Sequence, residues 1–446
     1  MKADGPHILL VNPWIHDFAA YDVWAQPLGL LQIAAALRRH GCRVSYIDCL
    51  NRFHPRAAPT DPHARHGRGP YFKTPLPSPE GLAALPRRFS RYGIPVAWFH
   101  DDLKALAPPD LILVTSVMTY WYPGVAETVA ALKRVYPAAP VVLGGIYATL
   151  CQAHAETTVD ADEIVAGPAG PVLLEVVARH TGEDLPAAFD FEDLDAWPFP
   201  ALDLQHRIAY APLLTSVGCP FHCDYCASHR LQPVRRCRDP LAVAAEIEHW
   251  HRRHGVRNFV FYDDALLIDP ETHVLPLLET LVRRFEGLRF HTPNALHIRQ
   301  ISPELATLMV RAGFETVRLG LETAAGSAER RMDRKVGHRE FERAATRLKA
   351  AGFGARQVGA YLLAGLPDQR REDLEKSIRA VRSMGIRPIL AYYTPIPHTV
   401  LWRRAVSVSH YDLEADPIYS NNAIFPCQTE AFSWEALAHL KQLTLS

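Results

Sequence analysis

The chain has 446 residues, and its 48 Lys+Arg balance its 48 Asp+Glu, so the formal charge is zero. That balance excludes the basic footprint of a nucleic-acid binder and a strongly basic membrane surface. No run of about 18 apolar residues is available to span a bilayer, and the length predicts two or three domains.

The opening Met1-Lys-Ala-Asp-Gly-Pro runs straight into an apolar segment that ends at Asn12-Pro13, without a small-residue cleavage site, which predicts a cytoplasmic protein. Residues 7–11 read as a buried strand, 27–40 as an amphipathic helix stopped at Gly41, and 43–48 as a second strand. From 51 to 109 the regularity is lost in a Pro-, His- and Arg-rich insertion, with short helices predicted over 81–91 and 96–106. Alternation resumes with strand 111–117, helix 124–136, strands 141–144 and 163–166, and helix 172–181. Strands alternating with helices of this length imply a parallel sheet covered on both faces, with ligands at the carboxyl ends of the strands. The first domain is therefore predicted over 1–182 as a doubly wound, Rossmann-like α/β unit, followed by a Pro- and Asp-rich linker over 183–210.

Beyond the linker, strands at 213–215, 258–262, 288–293, 317–321, 358–364 and 389–394 alternate with helices at 240–254, 271–285, 303–312, 339–351 and 371–384. Six parallel strands with five intervening helices predict an arc of a TIM-type barrel, a partial (β/α)6 unit over 211–401. A C-terminal tail over 402–446 carries one predicted helix, 433–443.

The densest chemistry follows the first barrel strand. Thr215-Ser-Val-Gly-Cys219-Pro-Phe-His-Cys223-Asp-Tyr-Cys226 places three cysteines in a C-x3-C-x2-C spacing. Three soft thiolates suit three irons of a [4Fe–4S] cluster and leave the fourth iron open to a small molecule. A structural zinc site would want four ligands; His222 or His229 could complete one, but no second Cys/His pair follows at the usual distance. A disulfide framework does not suit a long chain with scattered cysteines and no secretory signal, which leaves inert thiols as the other alternative. The isolated Cys42, Cys49, Cys151, Cys237 and Cys427 read as buried small hydrophobes.

The Gly-Cys-Pro-Phe-x-Cys-x-Tyr-Cys setting resembles the signature of the radical S-adenosylmethionine (SAM) superfamily, including the aromatic Tyr225 before the last cysteine. The resemblance implies a [4Fe–4S] cluster on Cys219, Cys223 and Cys226 whose open iron chelates SAM. It implies SAM contacts at the strand ends: Asp263 and Asp264 where the family has Gly-Gly-Glu, Glu322 in Gly320-Leu-Glu322-Thr, Gly365 and Pro367 in a glycine motif beside the adenine, and Ile396 in Pro395-Ile-Pro397 as a further adenine wall. Asn294, Arg299 and Lys335 are expected to meet the SAM carboxylate or the substrate. Singly, each has an ordinary explanation: Asp263 as a helix cap, Arg299 in a surface pair, Lys335 solvated.

The first domain is similar to cobalamin-binding domains, whose later motifs are Ser-x-Leu and Gly-Gly. Here Ser116-Val117-Met118 and Gly144-Gly145 stand in those places, and with Asn12 and Pro13 after the first strand and the rings of Tyr120, Trp121 and Tyr147 they are the expected cobalamin contacts, the Ser116 hydroxyl being offered to a polar tail. Asp-x-His-x-x-Gly, which supplies a histidine to cobalt, is absent; Asp61-Pro-His63-Ala-Arg-His-Gly67 has the wrong spacing and reads as a loop. A nucleotide-type fold whose glycines only make turns is the competing reading. Together the resemblances imply reductive cleavage of SAM to a 5′-deoxyadenosyl radical and cobalamin-dependent methyl transfer to an unactivated carbon of an unknown organic substrate. A donor such as flavodoxin or ferredoxin would supply electrons, and no nucleic acid would take part. The alternative is a radical rearrangement, cyclisation or dehydrogenation without methyl transfer.

Overall fold

The computed structural model describes residues 5–322, 337–429 and 432–445. The chain divides into two compact units: residues up to Ala209 together with Ala415–Ile424, and Tyr210–Glu414 together with the residues from Phe425 on.

The first unit is built on five parallel strands, β1 (His7–Asn12), β2 (Arg43–Asp48), β3 (Leu111–Val114), β4 (Val141–Leu143) and β5 (Glu163–Ile164), in the order β2-β1-β3-β4-β5. Successive side chains of a strand point to opposite faces, and here both faces are apolar. Leu9 and Val11 pack with Ile112, Val114, Val129 and Leu132, while Ile8 and Leu10 pack on the other side with Leu30, Ala34, Leu37 and Val177. The order reverses between β1 and β3, which makes the carboxyl ends of these strands the crevice for a ligand.

Three expectations need correction in this unit. Residues 81–91 are not a helix: Ser90–Tyr92 pairs antiparallel with Ile15–Asp17 on one side and Lys73–Pro75 on the other. Pro77, Pro79 and Pro86 withhold backbone N–H donors from any helix there, and three-residue strands are too short to show an alternating pattern. The 183–210 segment is not a loose linker: Leu185, Phe189, Trp197 and Leu204 pack on the helix-covered face of the sheet, and Ala201 N donates to Leu31 O at 3.0 Å. Its aromatic residues bury apolar area that a linker would leave in water. Finally, 402–446 is not one tail, because Ala415–Ile424 belongs to the first unit while the helix Trp434–Leu445 belongs to the second.

The second unit is an all-parallel sheet of six strands in sequential order: β6 (Ala211–Leu213), β7 (Asn258–Phe261), β8 (Arg289–His291), β9 (Phe314–Glu322), β10 (Val358–Ala364) and β11 (Arg387–Tyr392). Among the described residues β6 and β11 do not pair, so the barrel is an arc. The connecting helices start where the sequence marks them. Asp239 accepts from Leu241 N and Ala242 N ahead of Pro240–His254, and Ser302 accepts from Leu305 N ahead of Pro303–Ala312, each with proline in the first turn. Phe259, Phe261, Phe290 and Phe314 stack across β7, β8 and β9 with ring centroids 5.6–5.8 Å apart. Truncating one of these buried rings to alanine removes about 3–5 kcal/mol.

Candidate active site

The cysteine loop leaves β6 through a short hairpin in which Ser216–Val217 pairs antiparallel with Arg236–Cys237. Gly218 turns the chain at φ 74°, and a Cβ there would meet Val234 O at 2.7 Å, so only glycine lets the loop start against its own return strand. This hairpin leaves Cys237 exposed, a correction to its reading as a buried hydrophobe; Cys42, Cys49 and Cys427 are buried and Cys151 is half-buried. Inside the loop, Cys226 N donates to Cys223 O, and Ser228 N donates to Cys226 Sγ at 3.4 Å. N–H donors to sulfur are among the contacts by which a protein tunes an iron–sulfur centre.

A cavity of about 260 Å³ opens at the carboxyl ends of the strands. Its wall gathers Cys219, Cys223, Cys226 and Tyr225 from the loop, Asp264 after β7, Asn294 and Arg299 after β8, and Glu322 at the end of β9. Among the described residues no three His, Cys, Asp or Glu side chains converge as they would on a single ion. A four-iron cube holds its thiolates at separate corners, so three soft donors along one cavity wall fit that group, whereas the tetrahedron of a zinc site needs four that meet.

Apart from Asn294 and Arg299, the wall is completed by residues that the sequence did not single out. All of Asn294 to Gln300 lines the cavity, along with Phe221, Ser228 and Ile268. The 294–300 segment is drawn in by backbone bonds that continue the β8–β9 pairing: Leu296 N donates to Arg318 O at 2.7 Å and Gly320 N to Leu296 O at 3.2 Å. A Cβ on Gly320 would meet Ala295 Cβ at 3.1 Å, which is why the strand carries glycine there. Asn294 Nδ2 donates to Tyr262 O at 2.9 Å and ties the segment to the end of β7. The available signal was the set of polar residues Asn294, His297, Arg299 and Gln300 lying between the end of a strand and the Ser302-Pro303 helix start.

Glu322 sits just past a register shift in the β9–β10 pairing, with φ 61°, in the left-handed region. Such backbone costs about 1–3 kcal/mol in a residue other than glycine, and it concentrates at ligand sites. Asp264 opens into the cavity, and its carboxyl is pushed above the usual range by desolvation and by the neighbouring Asp263, against a hydrogen bond from Ser228. Arg299 donates from Nε to Glu340 at 2.8 Å, which is the surface pair its position allowed. Lys335 lies outside the described residues.

Asp263 is different from its neighbour. It is 3% exposed and turned away from the cavity, accepting from Thr215 N at 3.1 Å, Thr215 Oγ1 at 2.6 Å and Ser216 Oγ at 2.7 Å. Because the Thr215 hydroxyl proton goes to Asp263, His273 Nε2 is the donor in its 2.8 Å contact with Thr215 Oγ1. Desolvation, only partly offset by the Asp263 charge, holds the His273 pKa below its ordinary value and favours this neutral donor. The expected grip of Asp263 on SAM is therefore corrected: its acceptors are spent on the turn that launches the cysteine loop. Gly365, Pro367 and Ile396 stand at the ends of β10 and β11 and are not in the cavity wall. Gly365, at φ 87°, packs against the Phe425 ring, where a Cβ would come within 3.0 Å.

In the first unit the strand ends are knitted together. Asn12 Nδ2 donates to Asp48 Oδ1 at 2.7 Å across β1 and β2. Ser116 Oγ donates to Gly144 O at 2.7 Å and accepts from Ala148 N, so its hydroxyl joins β3 to β4 and is not held out for a ligand's polar tail. Gly145, at φ 99°, lies where a Cβ would meet Ser116 O at 2.3 Å. Pro13, Tyr120 and Tyr147 are buried, Val117 and Trp121 are half-buried, and Met118 is exposed. The burial of Tyr120 and Tyr147 corrects their reading as ligand-facing rings; the Tyr147 hydroxyl meets His154 Nδ1 at 2.7 Å. Residues 61–67 form a loop with a short 3-10 turn in which Arg65 and His66 are left-handed.

The family model for the radical SAM superfamily matches residues 213–381, the span from β6 through the helix after β10. The chain carries a radical SAM domain. SAM and a [4Fe–4S] cluster are the cofactors of that family. The chain is 24% identical over 344 residues to an uncharacterised methyltransferase of Pyrococcus horikoshii, covering 69% of this chain and 72% of that one. It is 26% identical over 342 residues to the anaerobic magnesium-protoporphyrin IX monomethyl ester cyclase of Cereibacter sphaeroides, covering 68% of this chain and about half, 54%, of the cyclase. It is 22% identical over 426 residues to the cytidylyl-2-hydroxyethylphosphonate methyltransferase of Streptomyces wedmorensis. Among solved structures, the radical SAM methyltransferase TsrM from Kitasatospora setae superposes with a TM-score of 0.65 at 17% identity, covering 91% of this chain and 78% of TsrM. The cobalamin-dependent radical SAM enzyme OxsB superposes at 0.61 with 12% identity, covering 90% of this chain and 55% of OxsB. Both likenesses are of fold. Among the described residues no helix is long and apolar enough to cross a membrane.

Proposed function

We propose that this chain is a cobalamin-dependent radical SAM methyltransferase that acts on an unactivated carbon of an organic substrate. The observation that carries the reading is the single cavity whose wall holds Cys219, Cys223 and Cys226 together with Asp264, Asn294 and Glu322. Held by Cys219, Cys223 and Cys226, a cluster would supply the electron for SAM cleavage, and cobalamin would supply a transferable methyl group. The work of this chain is placement. Glu322, fixed by its strained backbone, and Asp264 offer carboxylates to the SAM ammonium group. Tyr225 and Phe221 give the wall aromatic surface, and Asn294 holds the ends of β7 and β8 in register. In the first unit, the β1–β3 switch point supports a crevice for a large flat cofactor at the carboxyl ends of the strands. The names of the Pyrococcus and Streptomyces relatives support methyl transfer.

The test is anaerobic reconstitution with iron, sulfide and hydroxocobalamin, followed by SAM and a reductant such as flavodoxin or ferredoxin. The expected results are a four-iron Mössbauer signal, 5′-deoxyadenosine, a retained cobalamin spectrum and, with substrate present, a product heavier by one methylene. Absence of 5′-deoxyadenosine would overturn the radical reading. A second reading, ring closure or another rearrangement without methyl transfer, is favoured by the likeness to the ester cyclase; an unchanged carbon count in the product would establish it.

A further inference from the structure

Asp17 is a heavily bonded carboxylate outside the cavity just described. It lies beyond the end of β1, is 2% exposed, and accepts four N–H donors. Phe18 N at 2.6 Å and Ala19 N at 3.3 Å come from its own loop, Trp121 Nε1 at 2.6 Å from the turn after β3, and Asn421 Nδ2 at 2.9 Å from the far end of the chain. Asn421 is fully buried, and its other amide atom accepts from Ala423 N at 2.7 Å, so its orientation is fixed. The rest of its segment is anchored in the same unit: Tyr122 donates its hydroxyl to Asp416 at 2.8 Å, and Tyr419 donates to Glu80 O at 3.3 Å.

What this constellation holds is the Trp121 indole. The ring rests on Ile15 and Leu50, which follow β1 and β2, and on Tyr92 within the insertion. It is half-buried, and Met118, three residues earlier, is 42% exposed. A flat aromatic surface is thus fixed by a buried carboxyl acceptor at the carboxyl ends of the two strands between which the sheet order reverses. A mobile indole there would lose rotamer freedom each time it met a ligand; one already bonded does not. Trp121 packing alone would not need a buried carboxyl group, whose desolvation is costly unless its acceptors are used.

We propose that Asp17 and Asn421 are positioning residues that preset the Trp121 ring as one wall of the ligand crevice in the first unit, so that this unit's affinity for a corrin-sized planar cofactor depends on residues 415–424. This rests on the cobalamin reading above. The experiment is a spectral titration of the full-length chain with hydroxocobalamin, comparing wild type, Trp121→Phe, Asn421→Ala and the double variant, with the thermal midpoint of each measured in the absence of cobalamin. Trp121→Phe keeps a ring but loses the donor, so it tests the bond even if Asn421→Ala folds poorly. Each single variant is expected to weaken binding about fivefold, the equivalent of one hydrogen bond. The double variant should bind no worse than the weaker single one, because both act through Asp17. Binding by Trp121→Phe within twofold of wild type, or losses that multiply in the double variant, would overturn the proposal while leaving the cobalamin reading intact. A wild-type chain that retains no hydroxocobalamin would overturn both.

Discussion

Asp263 and Asp264 are adjacent, yet their surroundings give them opposite work, and replacing Asp263 tests that division. In Asp263→Ala the Thr215 hydroxyl can turn to His273, 2.8 Å away, if the imidazole changes tautomer. Thr215 N and the Ser216 hydroxyl have no such substitute, and both residues are at most 1% exposed. Each stranded buried donor costs about 1–3 kcal/mol. Relief from burying a charge offsets part of the sum, leaving a net loss of about 2–4 kcal/mol. For a unit of this size, each 1 kcal/mol lowers the midpoint by about 2–4 °C. Asp263→Asn keeps one acceptor oxygen and should lose roughly half as much. The assay is thermal unfolding followed by iron content and SAM affinity after reconstitution. Asp263→Asn is expected to keep SAM affinity within about twofold, because its side chain faces the turn and not the cavity. An Asp263→Asn chain with wild-type stability and full iron content that no longer binds SAM would refute the division.

Asp264 should give SAM binding a pH dependence. Its folded carboxyl keeps its proton to a higher pH than a free one, so contact with the SAM ammonium is gained as pH rises through that raised value and lost below it. Calorimetric titration across pH should show this slope, and Asp264→Asn should flatten it. The Asp48 carboxyl is pushed up to about 6, first by desolvation, and the Asn12 bond only partly counters this. The folded state therefore holds its proton more tightly than the unfolded chain, and the stability of the first unit should fall as pH rises from the ordinary carboxylate range to about 6. Asp48→Asn, which keeps an acceptor for Asn12 and Leu50, should remove that slope in denaturant midpoints. The Arg299–Glu340 pair is exposed on its arginine side, so Glu340→Gln should change stability by less than about 1 kcal/mol in urea unfolding.

Much of the protein was legible because it is local. The C-x3-C-x2-C spacing needs no fold to be read, and the alternation of apolar strands with capped helices marks two parallel sheets because both faces of each strand must be covered. Glycines at the strand ends were visible too, although their partners were not: Gly145 answers to Ser116, and Gly365 to Phe425 from a distant part of the chain. The tertiary structure decided what depends on direction and on remote neighbours. Past the end of a strand the period of two no longer holds, so sequence could not tell that Asp263 turns inward to Thr215 while Asp264 meets the cavity. Proline- and aromatic-rich runs read as linker until a sheet face is present to bury them, as with Trp197. Asn421 carries no local signal at all; its role exists only because folding brings it to Asp17, where a buried carboxylate must find its donors wherever in the chain they lie.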